Sequence, residues 1–232
     1  MKNICFIGAF DKLDLILYIA KILKNLGKDV LVLDSTQMQK AKYIVPTINP
    51  TKSYITRFED IDIGVGFDSI EEIERYIGFT EEQHMKYDYA LINVDSQEVF
   101  ENFNTPDTIK NYFVTSFEMY SIKKGLETIK KITKPIKITK VIFSSQFSEE
   151  DDYYLDYLSL GYKIIWEENT ISFPYETRDL EAMIENQKNS KIKIKNLTQE
   201  YRNSLEYIIT DMLPDINIAN LKRVIKIMEK EG

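Results

Sequence analysis

Histidine and cysteine are almost missing from this chain, which has one of each. A single cysteine cannot form an internal disulfide or a cysteine-based zinc cluster. Cys5 lies in an apolar run and reads as a packed core thiol. With His84 alone, neither a Ser-His-Asp triad nor a histidine-rich metal site has enough to build on, and His84 reads as a surface residue. Glycine and proline are also scarce, at 8 and 6, which excludes collagen-like and low-complexity classes. No apolar run reaches the roughly 20 residues of a membrane span. The opening MKNICFIGAF has a lysine and then apolar residues, but no small-residue cleavage site, and it runs into Asp11, Lys12 and Asp14. It reads as the first strand of a cytoplasmic protein. Basic residues number 30 against 37 acidic ones, for a net charge of -7, so no broad nucleic-acid surface is expected.

Apolar residues make up 44% of the 232, enough to fill the core of one large α/β domain spanning the chain. The first unit sets the pattern. Ile4 to Gly8 is an apolar strand, and a helix follows with Leu13, Ile16, Leu17, Ala20, Leu23 and Leu26 on one side. Gly27 stops the helix, and Val30 to Leu33 is a second strand ending at Asp34. Residues 35–53 read as a loop marked by Pro46 and Pro50, holding at most one helical turn. Ser53–Phe58 and Ile61–Phe67 read as a hairpin, and Asp68 and Ser69 as the cap of a helix that stops at Gly78. Further strands are expected at 89–94, 111–115, 138–144, 162–166 and 170–173, the last two flanking a polar turn at Glu167–Asn169. Helices are expected at 97–103, 117–133, 149–160, 176–188, 198–212 and 217–229. Apolar strands alternating with helices predict a three-layer α/β/α sandwich with a mainly parallel sheet.

In such a sheet the ligand lies at the carboxyl ends of the strands, beside a topological switch point. Those ends carry GAFDK after the first strand, Asp34 after the second, and Asn93 and Asp95 at the end of YALINVDS. The stretches IAKILKNLGKDVLVLD, YDYALINVDS, NYFVTSFEMYSIKKGLETIKKI, VIFSSQ and ISFPYE resemble, in that order, successive segments of the ParA/MinD group of P-loop ATPases. The resemblance implies a P-loop NTPase architecture, with Lys12 at the P-loop lysine, Asp34 at the strand-two carboxylate and Asn93 at the Walker B position. It places Gly8, Ala9, Phe10, Asp11, Lys12, Leu13, Asp14, Asp34, Asn93, Ser144 and Pro174 around a nucleotide site.

The departures from that pattern bear on function. The loop before Lys12 is three or four residues short, with Ala9, Phe10 and Asp11 where glycines belong. Asp11 would face a phosphate, and two like unit charges 4 Å apart repel by roughly 4 kcal/mol at an effective dielectric of ~20. Leu13 and Asp14 replace the hydroxyl residues, Asn93 replaces the Walker B acid, and Thr36 replaces a second acid after Asp34. Phosphoryl transfer depends on positioning and charge stabilisation, so these losses together point away from catalysis, metal and cofactor. On the residues alone, Asp11 and Asp14 suit a helix N-terminus and Asp34 caps a turn. The expectation is a non-catalytic scaffold, a TadZ-like pseudo-ATPase in an assembly, secretion, pilus or partition system, working as a homodimer or with a protein partner. The alternative is a divergent ATP- and magnesium-binding switch that uses Lys12 and Asp34.

Three further surfaces stand out. SEEDDYYLDYLSLGY is a solvated helix or a partner face. Lys191, Lys193 and Lys195 alternate with Ile192 and Ile194, as on a protected edge strand, with contact to nucleic acid or acidic lipid as the other use. Residues 217–230 form a basic amphipathic helix, expected to dock on the sheet rather than on a membrane.

Overall fold

The computed structural model describes residues 1–47, 52–79, 87–145 and 149–230, excepting the side chains of 79 and 149–152. His84 and Pro50 lie outside the described residues. The strands are β1 (Lys2–Ile7), β2 (Val30–Asp34), β3 (Tyr54–Phe58), β4 (Ile61–Val65), β5 (Tyr89–Val94), β6 (Thr108–Ser116), β7 (Ile136–Ser144) and β8 (Ile164–Pro174). The helices are α1 (Leu13–Asn25), α2 (Ala41–Ile44), α3 (Ile70–Phe79), α4 (Gln97–Phe103), α5 (Met119–Glu127), α6 (Glu149–Leu158), α7 (Thr177–Lys188), α8 (Gln199–Met212) and α9 (Ile218–Met228).

One eight-stranded sheet runs in the order β3-β4-β2-β5-β1-β6-β7-β8. Only β3 and β4 pair antiparallel among the described residues, through a turn with positive φ at Glu59 and Asp60. Alternate residues along each central strand enter different cores. Phe6, Val32, Leu91, Val114 and Val141 pack with α1, α8 and α9, while Cys5, Leu31, Ile92, Phe113 and Ile142 pack with α4 and α5. The expected three-layer sandwich with a mainly parallel sheet is therefore the observed one. Helix α1 is buried along almost its whole surface because α8 and α9 cover it. Burial drives the Cys5 thiol up to about 12, which leaves it an unreactive core group.

The chain runs from β1 to β2, with β5 later slotted between them, and then crosses to β6 on the other side of β1. The carboxyl end of β1 is thus the switch point.

Several sequence expectations need correction. Residues 162–166 and 170–173 are not separate strands: β8 is continuous, with an irregularity opposite Ile138 to Lys140. Glu167 bonds to Lys110 and Thr139, so the polar stretch is held within the sheet rather than turned out of it. The 117–133 helix is shorter, α5 ending at Glu127. Gly78 lies inside α3 rather than at its stop. Residues 191–194 form no strand, and Ile192 and Ile194 are buried in the core while Lys191 pairs with Glu59. The apolar face of α9, Leu221, Val224, Ile225 and Met228, is buried in the same core, which accounts for its amphipathic pattern without a membrane. Among the described residues no helix is long and apolar enough to cross a membrane.

Candidate functional site

The chain leaves β1 at Ile7 and must turn within five residues to enter α1. Gly8 makes the turn possible. Its φ is 129°, and a Cβ there would sit 2.5 Å from the Val114 carbonyl oxygen of the neighbouring β6. Two residues on, Phe10 stacks on Phe143 at the end of β7, with ring centroids 4.8 Å apart, and meets Tyr175 edge-on at 6.0 Å. Apolar packing therefore fixes the turn against β7.

Lys12 is the N-cap residue of α1 and only 2% exposed. Its Nζ donates to the Gly8 carbonyl at 2.6 Å and reaches the Phe10 carbonyl at 3.5 Å. Burial lowers its pKa from 10.5 to about 8, while the charges of Asp95, Asp11 and Asp34 work in the opposite direction. The ammonium thus faces its own turn and has backbone oxygens, not a carboxylate, as its hydrogen-bond partners.

The nearby acids are engaged in structure. Asp11 accepts from the Leu13 N–H at 3.4 Å and pairs with Lys40 at 2.6 Å. Asp14 pairs with Lys40 at 3.0 Å and accepts from the Gln187 amide. Burial opposes the charge on Lys40, but Asp14 and Asp11 outweigh it and raise its pKa. Asp34 is fully buried. One of its oxygens accepts from the Thr36 hydroxyl at 2.7 Å and from Asn93 at 3.4 Å, and the other accepts from the Ala41 N–H at 2.8 Å. It fastens the start of α2 to the end of β2. The side-chain carbonyl of Asn93 is buried and has no partner among the described residues. Asp95 accepts from the Gln37 N–H at 3.0 and 3.2 Å.

A cavity of about 310 Å³ opens at this switch point. Of the residues expected around a nucleotide, Gly8, Ala9, Phe10, Asp11, Lys12 and Asn93 line it. Asp14 and Pro174 line a neighbouring cavity instead. Leu13 is buried in the core and Asp34 lies behind Asn93, so neither faces the space. Ser144 ends β7, paired in register with Pro174. Sequence reasoning missed Lys40, Met38 and Tyr43, which also line the cavity. Their loop carries no local signal beyond polarity. Met38 and Tyr43 are about four-fifths exposed, an apolar fringe beside a polar space.

A parallel sheet with a lysine-bearing turn at its switch point is the architecture of P-loop ATPases. No protein-family model matches the chain, and no curated protein matches it. Solved structures do. A plasmid partition protein of Borrelia burgdorferi bound to AMPPNP superposes with a TM-score of 0.58 at 14% identity, covering 93% of this chain and 99% of that one. The MinC:MinD cell division protein complex of Aquifex aeolicus gives 0.55 at 15%, covering 94% and 99%. A ParA family ATPase of Chlorobium tepidum gives 0.55 at 15%, covering 90% and 98%. The chain has the ParA/MinD-type P-loop ATPase fold, as the order of its segments implied.

Proposed function

We propose that this protein is a non-catalytic scaffold or positioning protein on the ParA/MinD-type fold. It is a cytoplasmic pseudo-ATPase of the TadZ-like kind, acting in partition, secretion or pilus assembly as a homodimer or with a protein partner. One observation carries the reading: the Lys12 ammonium donates to the Gly8 carbonyl of its own turn. A phosphate loop instead presents backbone N–H groups and a free lysine to the anion. The donor set around it supports the same reading. The Leu13 side chain offers no oxygen and Asn93 no charge, and Asp34 is engaged by Thr36, Asn93 and Ala41, which supports the reading that the family's magnesium-holding positions have lost that role. The MinC:MinD complex and the partition protein among the similar structures are in keeping with a partner-binding, positioning role.

The cavity with Lys12 and Lys40 in its wall favours a second reading, a divergent ATP-binding switch. Titration calorimetry with ATP and magnesium separates the two. The scaffold reading expects no binding heat up to millimolar nucleotide. Micromolar binding that disappears in Lys12→Ala would overturn it.

A further inference from the structure

The helical layers on the two sides of the sheet carry outer surfaces of opposite character. Helix α6 packs inward through Leu155, which is buried in the core shared with α4 and α5. Tyr153 and Tyr157, one turn apart, lie away from that core and are 70% and 68% exposed, and Leu160, a turn further on, is 71% exposed. Tyr154 links this row to α5, its hydroxyl donating to the Met119 sulfur at 3.6 Å, and Tyr120 follows Met119 in the exposed surface. Large apolar side chains exposed singly need no explanation, but a contiguous row of them marks a contact surface. The α6 sequence, EEDDYYLDYL, has five acids and no base. Lys140 reaches Asp156 from β7 and offsets one of them.

On the other side of the sheet, α9 buries Leu221, Val224, Ile225 and Met228. Outward it presents Lys222, Arg223 and Lys226, with Lys230 just beyond its end and the half-exposed Ile218 and Ile227 at either end of the ridge. The helix contains no acid. Lys222 pairs with Glu206, whereas Arg223, Lys226 and Lys230 have no acidic partner among the described residues. The flanking helices are also opposite in sign, α5 beside α6 being weakly basic and α8 beside α9 acidic. Lysine and arginine are the side chains that pack on tyrosine faces and pair with carboxylates.

We propose that α6 of one molecule docks on α9 of a second copy of this chain, with its tyrosine rings and acids against the Lys222, Arg223 and Lys226 ridge. The two helices lie on opposite faces of one sheet, so a molecule cannot satisfy its own pair. Two copies joined once keep a free α6 at one end and a free α9 at the other. The interface is therefore heterologous, and association runs on head to tail instead of closing as a dimer. The contact makes no use of the Lys12 cavity, so it holds whether or not nucleotide binds.

Sedimentation velocity on the full chain tests it. One helix face on another is a small interface, so at low salt the wild type should grow past twice its 27.3 kDa monomer mass as its concentration rises through about 10 to 100 µM. Salt at about 0.5 M should weaken that growth at least about tenfold. Arg223→Ser with Lys226→Ser disables the α9 face, and Tyr153→Lys with Tyr157→Lys disables the α6 face. All four side chains are exposed, so each double variant should keep the wild-type melting temperature. Each alone should stay monomeric. Mixed in equal amounts they should form a dimer and nothing larger, because one intact α6 then meets one intact α9 and both outer faces are disabled. A wild type that stays monomeric or stops at a dimer, growth indifferent to salt, a double variant that still grows, or a mixture that does not dimerise would overturn the proposal.

Discussion

Lys12 and Lys110 are both withdrawn from water, but they are held in different ways. Lys110, near the start of β6, pairs with Glu167 at 2.5 Å and Asp211 at 3.0 Å, and Tyr112 donates to Asp211 at 2.7 Å. Burial opposes its charge, yet the bonds to Glu167 and Asp211 prevail and its pKa rises. The cluster fastens α8 to the sheet and leaves the lysine fully partnered. Among the described residues Lys12 bonds to carbonyl oxygens of its own turn, and burial prevails, lowering its pKa to about 8. A withdrawn lysine that meets carboxylates serves packing, whereas one given only dipoles carries a residual electrostatic cost. In this fold the costly lysine sits at the switch point, where function usually resides.

Substitutions can break or sharpen this contrast. The largest effect belongs to the backbone beneath Lys12. Gly8→Ala places a Cβ against the Val114 carbonyl at a positive φ, and chemical denaturation should register a loss of about 3 kcal/mol or more. Next is Lys110→Met, which leaves Glu167 and Asp211 facing each other without their cation; a loss of about 2 kcal/mol is expected in the same assay. Lys12→Met should change stability by less than about 1 kcal/mol at pH 7, since it removes both a buried charge and two hydrogen bonds. If Lys12→Met proves the more damaging of the two lysine variants, the contrast fails.

The pH dependence of Lys12 sharpens it further. Its pKa falls from 10.5 to about 8 on folding, so between those values the unfolded chain binds the extra proton. Stability from this group therefore rises with pH across that window, by up to about 1.4 kcal/mol per unit. Denaturation of wild type and Lys12→Met in parallel should show the wild type gaining on the variant between pH 8 and 10. A constant gap would place Lys12 in water.

Local patterns made most of the sheet legible. The strands ending at Ile7, Asp34 and Val94 are short apolar runs closed by Gly8, Ser35 and Asp95, and their order fixed the architecture. What stayed hidden depended on distant partners. Glu167 to Asn169 look like a turn because their neighbours are polar, and Lys110 lies 57 positions away from the Glu167 it holds in the strand. The alternation at 191–195 resembles an edge strand, but the same spacing lets a loop bury Ile192 and Ile194. At the site, the sequence located Lys12 but could not show the direction of its Nζ. Lys40 went unread because its acids lie 29 and 26 positions away.

The bond from Lys12 to the Gly8 carbonyl makes the turn its own competitor. On the nucleotide-binding reading, an anion that engaged the whole ammonium would have to draw it off an oxygen 2.6 Å away. Its apparent affinity is then the intrinsic one scaled by the fraction of molecules in which the lysine is already free. Each tenfold reduction in that fraction weakens binding tenfold, without any residue of the cavity wall changing. On that reading, the stronger this internal bond, the higher the anion concentration needed to half-fill the cavity.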